Sequence, residues 1–378
     1  MKSRIGDYEF MRTPGIEKHL LVLNTFYGPA YVKANEMRIS SYIPTDLPGY
    51  FTETNRVYPS NTLLAAVTPM DENGNFYLGL NQTEERDILR SALDEHWKIV
   101  LEVNPRLLKM NGSLAVNIRD VTVFCEVDAP PHMTPPIPIT PLEEEIGRQV
   151  GELIRDGDCL QMGIGGLPNA VARRLREKND LGLHTEQFTS TMAELIDLGV
   201  ITGKKKNVNR GLHIGAFADG TQKLYETLER NPRCAIRPGS YVVDPLVIAS
   251  NDNMVSINTL VEIDLTGQIC AESIGPKQIS GSGGAFCFAY GAFRSKGGRG
   301  IYAFPSRTAK GSPKIRSTLT HGANVTTLRN YVDWIVTEYG AVQLRGCSVR
   351  ERAERLISVA HPEDRPQLLQ EARKLCYI

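Results

Sequence analysis

The chain has 378 residues, of which 41% are hydrophobic and 23% are charged, a balance typical of soluble globular proteins and unlike that of disordered or membrane proteins. This length exceeds what one hydrophobic core usually holds, so we expect two domains. The 43 basic and 43 acidic residues give a formal net charge of +0, which excludes a general attraction to nucleic acid or anionic lipid.

Residues 1–15 contain no apolar segment of the kind found in signal peptides, and no apolar run is long enough to cross a bilayer. We therefore expect a cytoplasmic protein with neither membrane nor nucleic-acid partners. The seven cysteines are scattered and never form a C-x-x-C pair, which favours free thiols. The seven histidines also lack metal-ligand spacing, so we expect no bound metal.

The first part of the chain mixes predicted strands with a helix, as in an α/β layer. The predicted helix is EERDILRSALDEHW, residues 84–97. The predicted strands are HLLVLNTF, NTLLAAVT, FYLGLN, KIVLEVN and DVTVFCEV.

A proline-rich segment, APPHMTPPIPITP at residues 129–141, favours an extended connector. Directly after it, Thr140, Pro141 and Glu143 have the signature of a helix start, with a capping box between Thr140 and Glu143. We therefore expect an N-terminal domain over residues 1–135 and a C-terminal domain over residues 136–378.

The second part alternates more regularly between strands and helices. A predicted strand at 158–162 leads through GIGGLP into the predicted helix NAVARRLREK, and Ser348 with Glu351 forms a second capping box, before the helix CSVRERAERLISVA. The other predicted strands are HTEQFTS, SYVVDPLVIAS, NTLVEIDL, RGIYAFPS, NVTTLRN and DWIVTEYG. This order predicts an open, largely parallel sheet with active-site groups in loops at strand ends.

Two glycine-rich loops could bring backbone N–H groups to a ligand. In QMGIGGLPNAV, Gly163, Gly165 and Gly166 precede a predicted helix, where a phosphate or an oxyanion could bind. This loop lacks the third glycine of the dinucleotide fingerprint and the lysine of a P-loop, so a plain tight turn is the alternative. The second loop, SGSGGAFCFAYGAFRSKGGRG at residues 280–300, could meet phosphates through its basic end or be a surface loop.

The segment NTLVEIDLTGQI, residues 258–269, predicts a strand followed by a turn at Thr266 and Gly267. Glu262 and Asp264 alternate with apolar residues and would form the polar face of this strand. Because charged residues are mostly exposed, the simplest expectation is that this face meets water.

The run NDNMVSINTLVEIDLTGQICAESIGPKQISGSGG, residues 251–284, resembles the signature region of the family I CoA-transferases, in the acetyl-CoA hydrolase/transferase branch. It is most similar to the 4-hydroxybutyrate and butyrate:acetate CoA-transferases. Further segments agree in the same order, namely VTPMDENGNFYLG, LQMGIGGLPNAV, HTEQFTS with MAELIDLGVITGKKK, RSKGGRGIYAFPSRTAKG and VTEYGAVQLRGCSVRERAERLISVAHP. The resemblance implies two open, mostly parallel α/β domains of the CoA-transferase type.

The resemblance also implies a role for Glu262, which occupies the position of the family's nucleophilic glutamate. Its carboxylate would attack an acyl-CoA and then carry CoA as a thioester until a second carboxylic acid accepts it. Coenzyme A would thus be a co-substrate, and no permanent cofactor would be needed. Glu338, in TEYG, matches a glutamate near the family's active site.

Further site residues follow from the same resemblance. Backbone N–H groups that stabilise the oxyanion or bind CoA would come from Gly163, Gly165, Gly166, Gly281, Gly283 and Gly284. Candidates for binding the CoA phosphates are Lys296, Arg299 and Lys310.

The chain departs from the family pattern at three side chains. Cys287 and Tyr290 stand where relatives carry an acid and an arginine, and Tyr331 stands at a usual aspartate position. Phe286, Cys287 and Tyr290 could line a pocket for a larger or aromatic acyl group, or the chain could be a paralogue that has lost transferase activity. We favour a buried apolar role for the Cys287 thiol over a nucleophilic one.

The start of the chain also differs, since relatives begin with roughly one additional strand–helix unit. The first domain would be shortened, completed by a partner, or truncated by a late start codon. The resemblance implies a homo-oligomer, a dimer or larger. A hydrolase that uses the same Glu262, or an altered protein that handles CoA thioesters in a specialised biosynthetic pathway, are the alternative functions.

Overall fold

The structure is a computed structural model that describes residues 13–47 and 49–378, and the expectation about the extreme N-terminus falls largely outside these residues. The chain forms two compact units. The first unit contains the described residues up to Asp46 together with Asn258–Tyr290 and Gly300–Ile378. The second unit contains Leu47–Ile257 and Gly291–Arg299.

The boundary predicted between residues 135 and 136 lies inside the second unit, because the proline-rich segment is bound there on both sides. The Thr134 N–H donates to the carbonyl oxygen of Gly220 at 2.9 Å, and its hydroxyl donates to Asp219 at 2.7 Å. On the other side, the Asn169 side chain donates to the carbonyl oxygen of Ile137 at 3.1 Å.

The first unit is a mixed α/β structure. Its described helices are Pro29–Glu36, the first turns of Ala285–Arg294, Val349–Ser358 and Arg365–Lys374. Its described strands are Val22–Asn24, Ser40–Tyr42, Glu262–Asp264, Ile269–Cys270, Ser273–Ile274, Lys277–Gln278, nearly all of Arg299–Ala303, Ile315–Arg316, Trp334–Thr337 and Gly340–Gln343.

The Glu262–Asp264 strand is central in this unit. It pairs antiparallel with Ile269–Cys270, as the predicted hairpin requires, and parallel with Ile315–Arg316. One face carries Ile263, which is buried in a core with Ile269, Ile315, Tyr302 and other apolar side chains. Because side chains alternate along a strand, Glu262 and Asp264 both point to the opposite face.

The second unit contains the remaining elements. Its described helices are Tyr50–Val57, Glu85–Asp94, Pro141–Leu153, Gly166–Arg174, Ser190–Asp197, Gln222–Arg230, Gly239–Val242 and Pro245–Ala249. Its described strands are Thr62–Val67, Asn75–Tyr77, Lys98–Val103, Ala115–Asn117, Val123–Glu126, Cys159–Met162, Gly182–Leu183, Gln187–Phe188, His213–Gly215, Phe217–Ala218, Cys234–Ile236 and all but the last residue of Met254–Asn258.

Strand pairing in the second unit is mostly parallel. Lys98–Val103 lies between Thr62–Val67 and Val123–Glu126, with parallel pairing on both sides. Cys159–Met162 likewise pairs in parallel with the strand that begins at Met254 and with Gly182–Leu183. The predicted fold class of two mostly parallel α/β bodies is therefore confirmed.

Both predicted capping boxes are present, at Thr140 with Glu143 and at Ser348 with Glu351. The strand predicted over SYVVDPLVIAS is wrong, because Asp244 and Pro245 start a helix there and the Asp244 side chain accepts the first free N–H group.

Two further predictions of local structure are wrong. The segment at 280–300 is not one loop, since its middle forms the helix Ala285–Arg294 with a buried apolar side. NVTTLRN forms no regular strand and contributes one bridge, between Thr327 and Ile269. In the described part of the chain, no helix has both the length and the apolar character needed to cross a membrane.

Candidate active site

The polar face of the Glu262–Asp264 strand is buried, contrary to the expectation that it meets water. Glu262 is 5% exposed and Asp264 is 2% exposed. An isolated buried carboxylate is strongly unfavourable, so each of these two must have bonding partners. The partners differ between the two residues.

Asp264 is bonded entirely within its own hairpin. One carboxylate oxygen accepts from the backbone N–H of Thr266 at 2.9 Å, the Thr266 hydroxyl at 2.8 Å and the backbone N–H of Gln268 at 2.9 Å. The other accepts from the Gln268 side-chain amide at 2.6 Å. Gly267 has φ of 96°, a left-handed conformation that glycine adopts readily. Asp264 therefore stabilises the turn.

Glu262 is instead bonded by a segment far along the chain. The backbone N–H of Thr320 donates to Oε1 at 2.6 Å, and the Thr320 hydroxyl donates to Oε2 at 2.7 Å. The Nε atom of Arg316 lies 2.8 Å from Oε2. These contacts hold both oxygens of the Glu262 carboxylate in place.

Arg316 and Thr320 also line a cavity of about 330 Å³ within the first unit. The Arg316 side chain is 37% exposed, whereas that of Glu262 is 7% exposed. The Arg365–Lys374 helix and its start line the same cavity, through residues that include Asp364 and Glu371. Glu262 is thus bound by residues that face an accessible space.

Glu338 is bound by a similar pair of donors. Ser306 donates its backbone N–H to Oε2 at 2.9 Å and its hydroxyl to Oε1 at 2.6 Å. Ser306 in turn accepts from the N–H of Lys314, whose carbonyl accepts from Ile263, each at 2.9 Å. Backbone bonds therefore connect the Glu338 site to the strand that carries Glu262.

The Gly281–Gly284 segment lies in the same unit, immediately before the Ala285–Arg294 helix. Only glycine fits at Gly281, because a Cβ there would overlap the carbonyl oxygen of Thr25. The Ser282 hydroxyl donates to the carbonyl oxygen of Thr45 at 3.3 Å. These contacts position the segment, and its role as a source of oxyanion donors, with Gly283, stays a prediction.

Sequence reasoning missed Thr320, Arg316 and a third buried acid, Glu272. The Thr320–Glu262 bonds join residues 58 positions apart, a separation at which sequence spacing carries no signal. Glu272 accepts from the Tyr42 hydroxyl at 3.1 Å and from Thr326 at 3.0 Å, and burial together with the Glu272 charge raises the pKa of Tyr42. Its backbone carbonyl also accepts from Ser280 at 3.1 Å, so Glu272 supports the start of the glycine segment.

The other glycine loop belongs to the second unit. Gly165 has φ of 125°, and a Cβ at Gly166 would overlap the carboxylate of Glu143. Gly163 has open space around it, and Ile164 with Gly165 lines a cavity of about 610 Å³ in this unit. The predicted ligand-binding role of these glycines stays a prediction.

The phosphate-binding role predicted for Arg299 is corrected by its burial. Its side chain is 9% exposed, and its guanidinium forms an ion pair with Asp158 at 2.5 Å and donates to the carbonyl oxygen of Leu153 at 2.9 Å. Burial raises the pKa of Asp158, and the Arg299 charge opposes that effect. Lys296 and Lys310 are exposed and stay predicted phosphate-binding residues.

Two of the three residues that depart from the family pattern, Tyr290 and Tyr331, form an aromatic cluster with Phe286 in the first unit. The Tyr290 and Tyr331 rings are 4.7 Å apart in an edge-on contact, and Phe286 stacks on Tyr290 at 5.9 Å. Cys287 is 2% exposed. The two tyrosines that depart from the family pattern therefore contact each other. The role of Phe286, Cys287 and Tyr290 in acyl binding stays a prediction.

All seven cysteines are free thiols, of which Cys125 and Cys376 are exposed. Within residues 13–47 and 49–378, no three His, Cys, Asp or Glu side chains are grouped in a way that could hold a metal ion.

Comparison with known proteins identifies the family of this chain. Residues 220–372 match the family described as acetyl-CoA hydrolase/transferase C-terminal domain. The chain is 40% identical over 334 residues to the succinyl-CoA:cyclohexane-1-carboxylate CoA transferase of Geobacter metallireducens, covering 87% of this chain and 76% of that protein. It is 38% identical over 364 residues to the 4-hydroxybutyrate coenzyme A transferase of Clostridium kluyveri, covering 95% and 83%.

A solved structure agrees with these matches. The crystal structure of RipA from Yersinia pestis superimposes with a TM-score of 0.89 at 36% identity, covering 96% of this chain and 83% of that one. The resemblance inferred from the sequence motifs is confirmed. The chain belongs to the CoA-transferases of the acetyl-CoA hydrolase/transferase family.

Proposed function

We propose that this CoA-transferase moves CoA from an acyl-CoA to a free carboxylic acid by a ping-pong mechanism in which Glu262 becomes a glutamyl-CoA thioester. One observation carries the proposal. Glu262 is a buried carboxylate whose two oxygens are bound by residues that line a cavity, whereas its neighbour Asp264 is bonded within its own turn.

The first half-reaction consists of two successive acyl-transfer steps. A Glu262 oxygen attacks the thioester carbonyl carbon; a C–O bond forms, the C–S bond breaks, and CoA leaves as a thiolate. The thiolate then attacks the glutamyl carbonyl carbon of the resulting anhydride. A C–S bond forms, the bond between the glutamyl carbonyl carbon and the bridging oxygen breaks, and the acid leaves as a carboxylate that keeps this oxygen.

The second half-reaction reverses these steps with a different acid. Its carboxylate attacks the glutamyl thioester, CoA leaves as a thiolate, and the thiolate attacks the acyl side of the new anhydride. The products are a new acyl-CoA and the original Glu262 carboxylate. The thioester energy is retained throughout, so coenzyme A is the only carrier the scheme needs.

The remaining residues act around this centre. Thr320 orients the ionised carboxylate, and glycine N–H groups stabilise each tetrahedral oxyanion by roughly 3 to 4 kcal/mol per donor. Glu338, bound by Ser306, orients groups or water beside the nucleophile. A cytoplasmic location, expected from the sequence, and a homo-oligomeric state, expected from the resemblance, stay predictions.

The test is intact-protein mass spectrometry after incubation with a panel of acyl-CoAs, with borohydride added to reduce a glutamyl thioester. We expect an adduct on Glu262 that is absent in Glu262→Ala and present in Glu338→Gln, the matched control. The absence of any adduct, while acyl-CoA still binds, would contradict the mechanism. Release of free CoA without an acceptor acid would identify a hydrolase that uses the same glutamate.

A further inference from the structure

The Arg316 guanidinium forms an ion pair with Glu262, but its Nε N–H makes no hydrogen bond among the described residues. Its Nε atom lies 2.8 Å from Oε2 of Glu262, yet the N–H does not point at the oxygen closely enough to form a hydrogen bond. The Nε N–H of Arg316 is buried and has no hydrogen-bond partner among the described residues. The guanidinium also carries two terminal NH2 groups, and because the side chain is 37% exposed, these four N–H donors can reach a second carboxylate.

The contrast with Arg299 supports this interpretation. Arg299 is buried against Asp158 and donates both to that carboxylate and to a backbone carbonyl, as expected for a structural ion pair. Arg316 is 37% exposed, and it lines the 330 Å³ cavity. Its position combines a charge balanced by Glu262 with donors that face an open space.

The proposed chemistry changes that charge balance. In the free enzyme, the Glu262 carboxylate is the counter-ion of Arg316. When the Glu262 carboxylate is converted to a CoA thioester, its negative charge is lost. Arg316 then has no counter-ion at this position. An arginine without a counter-ion in a partly buried site favours the binding of a new carboxylate.

We propose that Arg316 binds the carboxylate of the acid substrate, and that this site is created when Glu262 is converted to its CoA thioester. The inference rests on the proposed function. It explains why the two half-reactions occur in order, since the acid has no unbalanced cation to bind until the acyl group has left.

The cavity also limits the class of acid. It is also lined by Asp364, which is paired with Arg307 at 2.6 Å, and by Glu371, which accepts hydrogen bonds from Ser317 and Gln367. A second carboxylate on the substrate would approach the Glu371 carboxylate and be repelled. The site is therefore suited to a small monocarboxylic acid and disfavours a dicarboxylic acid.

The test uses binding alone, without turnover. Glu262→Gln keeps the shape of the side chain but removes its charge, and so mimics the neutral thioester. By calorimetry with sodium butyrate, we expect Glu262→Gln to bind at least about tenfold more tightly than the wild type, because a hydrogen bond to a charged group is regained. Succinate is expected to gain less than butyrate.

The control variants separate Arg316 from general charge effects. Adding Arg316→Gln to Glu262→Gln should return butyrate affinity to the wild-type level or below. Adding Arg350→Gln, at an exposed arginine of the same unit, should change nothing. Arg316→Lys should retain part of the gain, which guards against misfolding of the glutamine variant.

Two outcomes would overturn the inference: equal butyrate affinity in wild type and Glu262→Gln, or a gain that survives Arg316→Gln. A wild type that forms the glutamyl thioester but shows either outcome would retain the proposed function and lose only the role of Arg316. A wild type that forms no thioester would lose the proposed function whatever the binding result.

Discussion

Glu262 and Glu338 are bound by the same arrangement of donors but have different surroundings. In each case one hydroxyl residue donates both its backbone N–H and its side-chain O–H to the two carboxylate oxygens, Thr320 to Glu262 and Ser306 to Glu338. The four distances lie between 2.6 and 2.9 Å. Hydrogen-bond geometry alone therefore does not distinguish a nucleophile from a supporting acid.

The cation beside each carboxylate does distinguish them. Glu262 has Arg316 at ion-pair distance, partly exposed to a cavity. Glu338 influences Lys314, whose pKa is lowered by burial and partly restored by the Glu338 charge, and whose amine donates to the carbonyl oxygen of Leu260 at 3.2 Å. One carboxylate is bound by residues that line a cavity, and the other lies near a half-buried amine.

The largest effect is expected from neutralising the two glutamates separately. Glu262→Gln should lower the rate of CoA transfer by at least about a thousandfold, because the attacking group is lost. Glu338→Gln should lower it by roughly ten- to a hundredfold, because the Ser306 bonds can persist. Steady-state transfer rates on folded variants measure the difference, and equal losses would show that both glutamates take part in the chemistry.

A smaller effect is expected from removing one hydroxyl donor at each site. Thr320→Val should lower kcat/KM by about tenfold, because a hydrogen bond to a charged group that orients the nucleophile contributes about 1.5 to 3 kcal/mol. Ser306→Ala should act mainly on stability, with the free energy of unfolding reduced by about 1 to 3 kcal/mol.

Activity assays paired with urea unfolding separate these two outcomes. The comparison between the sites fails if Thr320→Val retains full activity, or if Ser306→Ala reduces transfer more than Thr320→Val does.

The smallest effect concerns the alkaline stability that Lys314 confers. Because burial lowers the pKa of Lys314 below its ordinary 10.5, the unfolded chain keeps this proton to a higher pH than the folded protein. Stability of the wild type relative to Lys314→Met should therefore rise as the pH increases through that window, by less than about 1.4 kcal/mol per pH unit.

Urea unfolding at several values between pH 7 and about 10.5 measures this slope. Lys310→Met, at an exposed lysine of the same unit, provides the control and should show no such trend. A flat difference between wild type and Lys314→Met would mean that the Lys314 amine titrates alike in the folded and unfolded states.

Local features were predictable because their partners lie within a few residues. The capping boxes at Thr140 and Ser348 and the turn at Gly267 formed as their sequences indicate. The failures concern context. Glycines on both sides of the Ala285–Arg294 helix gave this segment the composition of a loop. The ion pair of Arg299 could not be predicted, because its partner Asp158 lies 141 positions away.

By itself, the sequence determined the local turn chemistry, the α/β class and, through family motifs, the position of the glutamate that we propose as the nucleophile. Only the tertiary structure decided that Glu262 is buried, that Thr320 binds it and that Arg316 faces a cavity beside it. The physical reason is strand register. Parallel pairing of Asp264 with Arg316 brings together groups separated by long stretches of chain, and no spacing rule within either segment encodes that alignment.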